Sequence, residues 1–326
     1  MGRCSRLLAG LLAGLVALAA CGGERTSSGT GGRLAIATGN TTGVYYLLGG
    51  AYAQVINSHL SGYRATAEAT GASVENIRRV VSGTSDIGFT LADVATDAVR
   101  GEGVFTSAQP IRALARIHSN YTQVIVRTDS GINRIEDMRG RTVSTGSPNS
   151  GTEVLALRLL RVAGLNPDRD IDRQRLPLPE TTSAVRSGTI QAMFWSGGLP
   201  TPGITDLFTS AKGQVKLLDL APYLARIQAQ YTNLYSRATI ARASYGSAAD
   251  VTTIAVPNLL VVRDTMSDDL AYKLVALLFA YQGDLVKVYP EARYIDLRTA
   301  QETGEVVLHS GAKRYYSEHP GSSAPS

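Results

Sequence analysis

The chain has 326 residues, with 32 Lys and Arg against 27 Asp and Glu, 44% hydrophobic residues and two cysteines. That length has room for two domains. The basic excess is small and scattered, with pairs such as Arg78-Arg79 and no run of like charges, which argues against a nucleic-acid partner, and two cysteines rule out a disulfide framework.

Arg3 and Arg6 precede an apolar run of 13 residues, Leu7 to Ala19, with no acid before Glu24. The run is shorter than the roughly 20 residues of a membrane-spanning helix, so residues 1–20 read as a signal peptide. Leu18-Ala19-Ala20-Cys21 resembles a bacterial lipobox, whose cleavage leaves Cys21 as a lipid-modified N-terminus; an ordinary secretory signal that happens to hold a cysteine is the alternative. Residues 21–32, rich in Gly, Ser and Thr, are expected to form a flexible tether and residues 319–326 a disordered tail. The body between them would then work at the extracytoplasmic face of the cell membrane, held by its lipid.

That body repeats itself. Leu34 to Thr38 reads as a strand running into Gly39 and the loop Asn40, Thr41, Thr42, Gly43; 107 residues later Thr142 to Thr145 runs into Gly146 and the loop Ser147 to Gly151. Ser82-Gly83-Thr84 leads into Asp86 to Thr90, and 105 residues later Ser187-Gly188-Thr189 leads into Gln191 to Trp195. Apolar residues at three-and-four spacing predict helices over Tyr45 to His59 and Glu153 to Ala163, the second ending at Gly164. Ile111 to Ile117, Gln123 to Val126 and Thr253 to Val262 have the β-branched content of strands, and Asp268 to Tyr281 reads as a long helix. Alternating strands and helices predict an α/β chain with parallel sheets. Because the repeat ends near Trp195 while the chain continues, the later segments must return to the first domain. Crossings near residues 118 and 251 would give one domain of residues 33–117 plus 252–318, a second of residues 118–251, and a two-strand hinge.

No Gly-x-Ser-x-Gly elbow, Walker loop, His-Glu-x-x-His or dinucleotide fingerprint is present, and His59, His118, His309 and His319 lie far apart. No catalytic residue, metal site or cofactor is assigned on this basis. The duplicated loops carry the functional expectation instead. Glycines permit close backbone approach, hydroxyls can donate, and a helix start offers unpaired N–H groups and a positive dipole end. Two such starts facing one another suit a small anion gripped from both sides. Taken singly, the same Ser and Thr residues are ordinary caps and turns.

The stretches IATGNTTGVYYLLGG (Ile36 to Gly50), EATGASVENIRRVVSG (Glu68 to Gly83), RTVSTGSPNSGTEVLALRLLRVAGL (Arg141 to Leu165) and LHSGAKRYY (Leu308 to Tyr316) resemble the TAXI family of solute receptors for TRAP transporters. The likeness covers nearly all of residues 33–316. Leu47, Ser310 and the segment Thr90 to Asp93 depart from the family's usual residues. The resemblance implies a class II periplasmic-binding-protein-like fold, two α/β domains joined by a two-strand hinge with the ligand cleft between them. It implies a non-enzymatic, monomeric receptor that binds a small carboxylate or amino acid of the glutamate and 2-oxoglutarate class and delivers it to a TRAP membrane permease.

Carried over position by position, the expected ligand-binding residues are Thr41, Thr42, Gly43, Tyr45, Ser73 and Asp93 from the first domain and Ser150, Gly151, Thr152 and Trp195 from the second. Asp93 would either meet a substrate amine or cap a helix near Val94. Trp195, the sole tryptophan, would either wall the ligand or pack in the core. Tyr46 and Tyr121 read as packing residues, and Glu153 as a first-turn acid suited to the helix dipole. A sensor or surface antigen on the same fold, or an enzyme acting on a small acid, are the other readings open to the sequence.

Overall fold

The structure, a computed structural model, describes residues 32–320. The expected signal peptide, lipidated Cys21 and all but the last residue of the tether lie outside the described residues, as does the tail beyond Pro320.

Strands and helices follow one another as β1 (Arg33–Ala37), α1 (Val44–His59), β2 (Arg64–Glu68), α2 (Ser73–Ser82), β3 (Ile87–Leu91), α3 (Ala92–Arg100) and β4 (Ile111–Arg127). The second lobe holds β5 (Thr142–Ser144), α4 (Gly151–Val162), β6 (Asp172–Gln174), α5 (Leu178–Ser187), β7 (Ala192–Gly197), α6 (Pro202–Ser210), β8 (Val215–Leu217), α7 (Leu224–Gln230), β9 (Ser236–Ile240) and α8 (Arg242–Tyr245). The chain then returns through β10 (Val251–Arg263) to α9 (Asp268–Ala280), α10 (Gln282–Val288) and α11 (Ser310–Glu318).

The sheet order is β2-β1-β3-β10-β4-β7-β5-β6, with β8 beside β4 and β9 beside β10. Within each lobe the repeated strands are parallel, β1 to β2 and β3, and β5 to β6 and β7. The expectation of parallel sheets fails at the centre, where β4 and β10 run antiparallel to each other and to β7 and β3 respectively. The reason is topological: a strand that leaves one lobe and a strand that comes back must point in opposite directions.

These two strands join the lobes. β4 is one unbroken strand where the sequence shows two separate β-branched runs; it pairs with β10 up to Tyr121 and with β7 from Tyr121 to Val126. β10 pairs with β9 from Val251 to Ala255 and with β3 from Asn258 to Val262. The exchange of neighbours falls at Pro257, where the register shifts and where proline has no N–H to give the ladder.

Helices cover both sheet faces. Leu48, Ile56, Leu274 and Tyr316 pack α1, α9 and α11 on one face of the first lobe, and Leu178, Val185, Ile204 and Leu207 pack α5 and α6 on the second. On the other face a single core runs through both lobes, joining Ile77 and Val94 to Leu155 and Leu159 across Ala113, Val124 and Val256 of the connecting strands. Each such fully buried side chain contributes about 1.5–3 kcal/mol.

Candidate functional site

Each lobe delivers one polar loop and one helix start to the same place. β1 leads through Gly39 and Asn40 to α1, and β5 leads through Gly146, at a φ of 92° that glycine adopts without strain, to α4. Ser150 is the N-cap of α4, its Oγ accepting from the Glu153 N–H at 2.9 Å. The two loops touch: Asn40 Nδ2 donates to Ser147 Oγ at 3.2 Å, and Asn40 Oδ1 accepts from the Leu178 N–H at 2.6 Å. One side chain of the first lobe thereby holds two elements of the second. The start of α2 joins from the side, with the Glu75 N–H donating to Asn149 O at 3.1 Å.

These starts enclose a cavity lined by Gly43, Val44, Tyr45, Ala72, Ser73, Leu91, Asn120, Ser147, Ser150, Gly151, Thr152, Trp195 and Ser196, with Asn40 at its edge. Its space is about 440 Å³ counting the open mouth, of which only about 30 Å³ admits the centre of a water molecule. The cleft is therefore nearly closed in this conformation, since about 10–15 Å³ by that measure holds a single water.

The lining is donor-rich. At the starts of α1, α2 and α4 the first N–H groups have no intrahelical partner and the dipoles present their positive ends. Ser73 Oγ accepts from the Leu91 N–H and Thr152 Oγ1 from the Ser196 N–H, each at 3.1 Å; Thr152 keeps a proton to donate, whereas the Ser73 hydroxyl is also bonded to the Tyr45 phenol. The Ser196 hydroxyl is buried with no protein partner. Trp195 gives its Nε1 proton to Thr201 Oγ1 at 3.1 Å and offers the cavity an apolar ring. No lining residue carries a charge.

Below the cavity a buried polar network fixes two of its walls. The Tyr45 phenol donates to Oδ1 of Asn258, and Asn258 Nδ2 donates to Asn120 Oδ1 and to the His118 carbonyl, each at 2.9 Å. Burial raises the Tyr45 phenol well above its ordinary pKa and lowers the His118 imidazole to about 4. Tyr45 lies on α1, whereas the other three lie on β4 and β10, so the connecting strands hold the floor of the cleft.

Of the residues expected at the ligand, Gly43, Tyr45, Ser73, Ser150, Gly151, Thr152 and Trp195 come together here. Thr41 is exposed and away from the lining, because the loop turns its side chain outward before α1 begins. Thr42 faces the start of α6, its carbonyl accepting from the Gly203 N–H at 3.3 Å. Asp93 neither reaches the cavity nor caps a helix; its Oδ2 accepts from Arg158 Nη1 at 2.9 Å and from the Tyr235 hydroxyl at 2.5 Å. Tyr46 and Tyr121 do not line the cavity, and Glu153 holds the Asn149 N–H and Arg175. Asn40, Ser147, Asn120 and Ser196 are additions. The first pair sits at the 107-residue offset of the duplicated loops, a signal open to the sequence; Asn120 and Ser196 lie on strands where no motif marks them. Among the described residues no three His, Cys, Asp or Glu side chains could hold a metal ion, and no helix is long and apolar enough to cross a membrane.

Two α/β lobes, two connecting strands and a nearly closed cleft between paired loops make a two-domain fold of the class II periplasmic-binding-protein type. The chain belongs to the NMT1-like family, whose model matches residues 36–319. Among solved structures it is similar to a binding-protein component of an ABC phosphonate transporter from Pseudomonas aeruginosa, at 15% identity over 81% of this chain and 80% of that one, with a TM-score of 0.56. It is also similar to the periplasmic aliphatic sulphonate binding protein SsuA of Escherichia coli, at 14% identity over 90% and 84% of the two chains and a TM-score of 0.48. At 15% identity the likeness to the phosphonate-transporter component is one of fold.

Proposed function

We propose that this protein is an extracytoplasmic, lipid-anchored receptor that binds a small carboxylate of the glutamate and 2-oxoglutarate class and delivers it to a TRAP membrane permease. The observation that carries the reading is the cleft: three helix starts and several hydroxyls converge on one enclosed space from two lobes. A carboxylate suits that arrangement, because oriented N–H groups and dipole ends favour negative charge. The absence of Asp, Glu, His, Lys, Arg and Cys from the lining leaves no base to activate its hydroxyls beside a bound acid, which favours binding over turnover. Membership of the NMT1-like family and the fold of known binding proteins support solute capture. The permease class rests on the four sequence stretches that resemble TAXI receptors, and the lipid on Cys21. The division at residues 118 and 251 belongs to the same proposal, with β4 and β10 as the hinge.

The test is mass spectrometry of small molecules released on denaturing the purified protein, followed by thermal unfolding of refolded protein with C4 to C6 acids. A bound acid at 100 times its dissociation constant stabilises the native state by about 2.7 kcal/mol, a shift of several degrees. Release of no acid, together with unchanged melting for every acid offered, rejects the proposal.

A further inference from the structure

Glutamate and 2-oxoglutarate share a skeleton and differ at one carbon, where the first carries an ammonium and the second a carbonyl. The cleft discriminates between those two groups. An ammonium brings three donors, no acceptor and a positive charge, so it needs a carboxylate or a set of free acceptors. Neither is present. No acidic side chain lines the cavity. Asp93 has its Oδ2 bonded to Arg158 and Tyr235, and the first-turn acids Glu153 and Glu75 are bonded to Arg175 and to the Gly71 N–H. The side-chain oxygens each already accept one protein N–H, which leaves at most a second lone pair apiece: Ser73 Oγ from Leu91, Ser150 Oγ from Glu153, Thr152 Oγ1 from Ser196, Asn120 Oδ1 from Asn258 and Asn40 Oδ1 from Leu178.

What remains in the cleft is surplus donors. Ser150 and Thr152 each keep a hydroxyl proton, and Ser196, 7% exposed, has a hydroxyl with no protein partner at all. An unpaired buried hydroxyl is costly to leave unmatched, so it points to an acceptor supplied from outside the chain. The positive ends of three helices add to the same preference and would repel an ammonium.

Resting on the carboxylate-receptor reading above, we infer that the solute is a small organic acid without an ammonium group, an oxo or unsubstituted carboxylate, and that Ser196 is one of the donors that binds it. The amino acid of the same skeleton is the disfavoured ligand.

The experiment is titration calorimetry on the full chain, unfolded and refolded to strip retained solute, with matched pairs: 2-oxoglutarate and glutamate, 2-oxobutyrate and 2-aminobutyrate, pyruvate and alanine. In every pair that binds, the oxo acid is expected to bind at least tenfold more tightly. An amino acid that binds as tightly as its partner overturns the inference and leaves the carboxylate reading standing. Failure of all six to bind overturns that reading and the inference with it. Ser196→Ala is expected to weaken the oxo acid about tenfold with an unchanged melting temperature of the ligand-free protein, because the hydroxyl serves no protein partner; unchanged affinity removes Ser196 from the site.

Discussion

Arg158 of α4 and Asp93 of α3 are joined across the two lobes, Nη1 to Oδ2 at 2.9 Å, with the Arg158 side chain 8% exposed and the Asp93 side chain fully buried. Arg158 Nη2 also reaches Asp97 Oδ2 at 2.5 Å, and its guanidinium stacks 4.7 Å over the Tyr231 ring. Burial disfavours the charged form of Arg158, and the carboxylates around it outweigh that cost by holding its pKa above the ordinary value. The pair sits on the face where one apolar core runs through both lobes, so a charge left alone there would have no water to turn to.

Arg158→Met should therefore cost about 3–5 kcal/mol, because it strands a buried carboxylate. Adding Asp93→Asn should recover part of that loss. Urea unfolding of the three proteins measures it; a loss below about 1 kcal/mol in the single variant would mean that the pair contributes nothing to the lobe interface.

Gly151 is a point of close approach between the lobes at the cleft. A Cβ placed there would lie 2.6 Å from both Ser73 Oγ and Leu91 Cδ1. Gly151→Ala should hold the lobes apart, weaken solute binding at least tenfold and cost about 1–3 kcal/mol of stability. Small-angle scattering should show a larger radius of gyration for the variant with solute than for the parent with solute, and identical curves would refute the steric argument.

Ala72 lines the cavity at the start of α2 with φ 85° and ψ −147°, a region that side chains avoid. Its N–H donates to Thr70 Oγ1 at 3.0 Å and its carbonyl accepts from the Asn76 N–H at 2.9 Å, so its neighbours impose the conformation. Ala72→Gly should relieve the strain and stabilise the protein by about 1 kcal/mol after the extra chain entropy of glycine is counted. A lower melting temperature would contradict that.

His118 is buried and its pKa falls to about 4. The unfolded chain binds a proton at this side chain more readily than the native one, so the stability present above pH 6.5 is lost as pH falls toward 4. From these two values the loss is about 2 kcal/mol by pH 5. Denaturant midpoints at pH 7.5 and 5.0 should show His118→Gln losing less than the parent over that interval; equal losses would assign the acid sensitivity elsewhere.

Cys21→Ser should leave an unprocessed or soluble protein whose body still folds. Unchanged membrane retention and mass in that variant would refute lipidation.

Several features of the site were legible from residue types alone. Gly39, Gly146 and their polar loops recur at a fixed offset, and the strand-to-helix turn they encode is local, so the duplication announced two equivalent helix starts. The seven expected residues that meet in the cavity belong to those starts, to α2 or to the end of β7. Asp93 was misplaced for a physical reason: its position on α3 is set by the sequence, but its partner Arg158 lies 65 residues away, and only packing decides whether a first-turn carboxylate meets solute or arginine. Asn120 and Ser196 escaped notice because a strand residue reveals nothing about which neighbouring strand ends beside it.

Periodicity, turn glycines and caps act over a few residues, so the sequence by itself determined the α/β alternation, the internal repeat and the loops that flank the cleft. The antiparallel pairing of β4 with β10, the polar network from Tyr45 through Asn258 to Asn120, and the uncharged, donor-rich character of the lining were decided by the tertiary structure. Each depends on residues more than a hundred positions apart, whose meeting is fixed by how the returning strand docks and by the cost of leaving buried polar groups without partners.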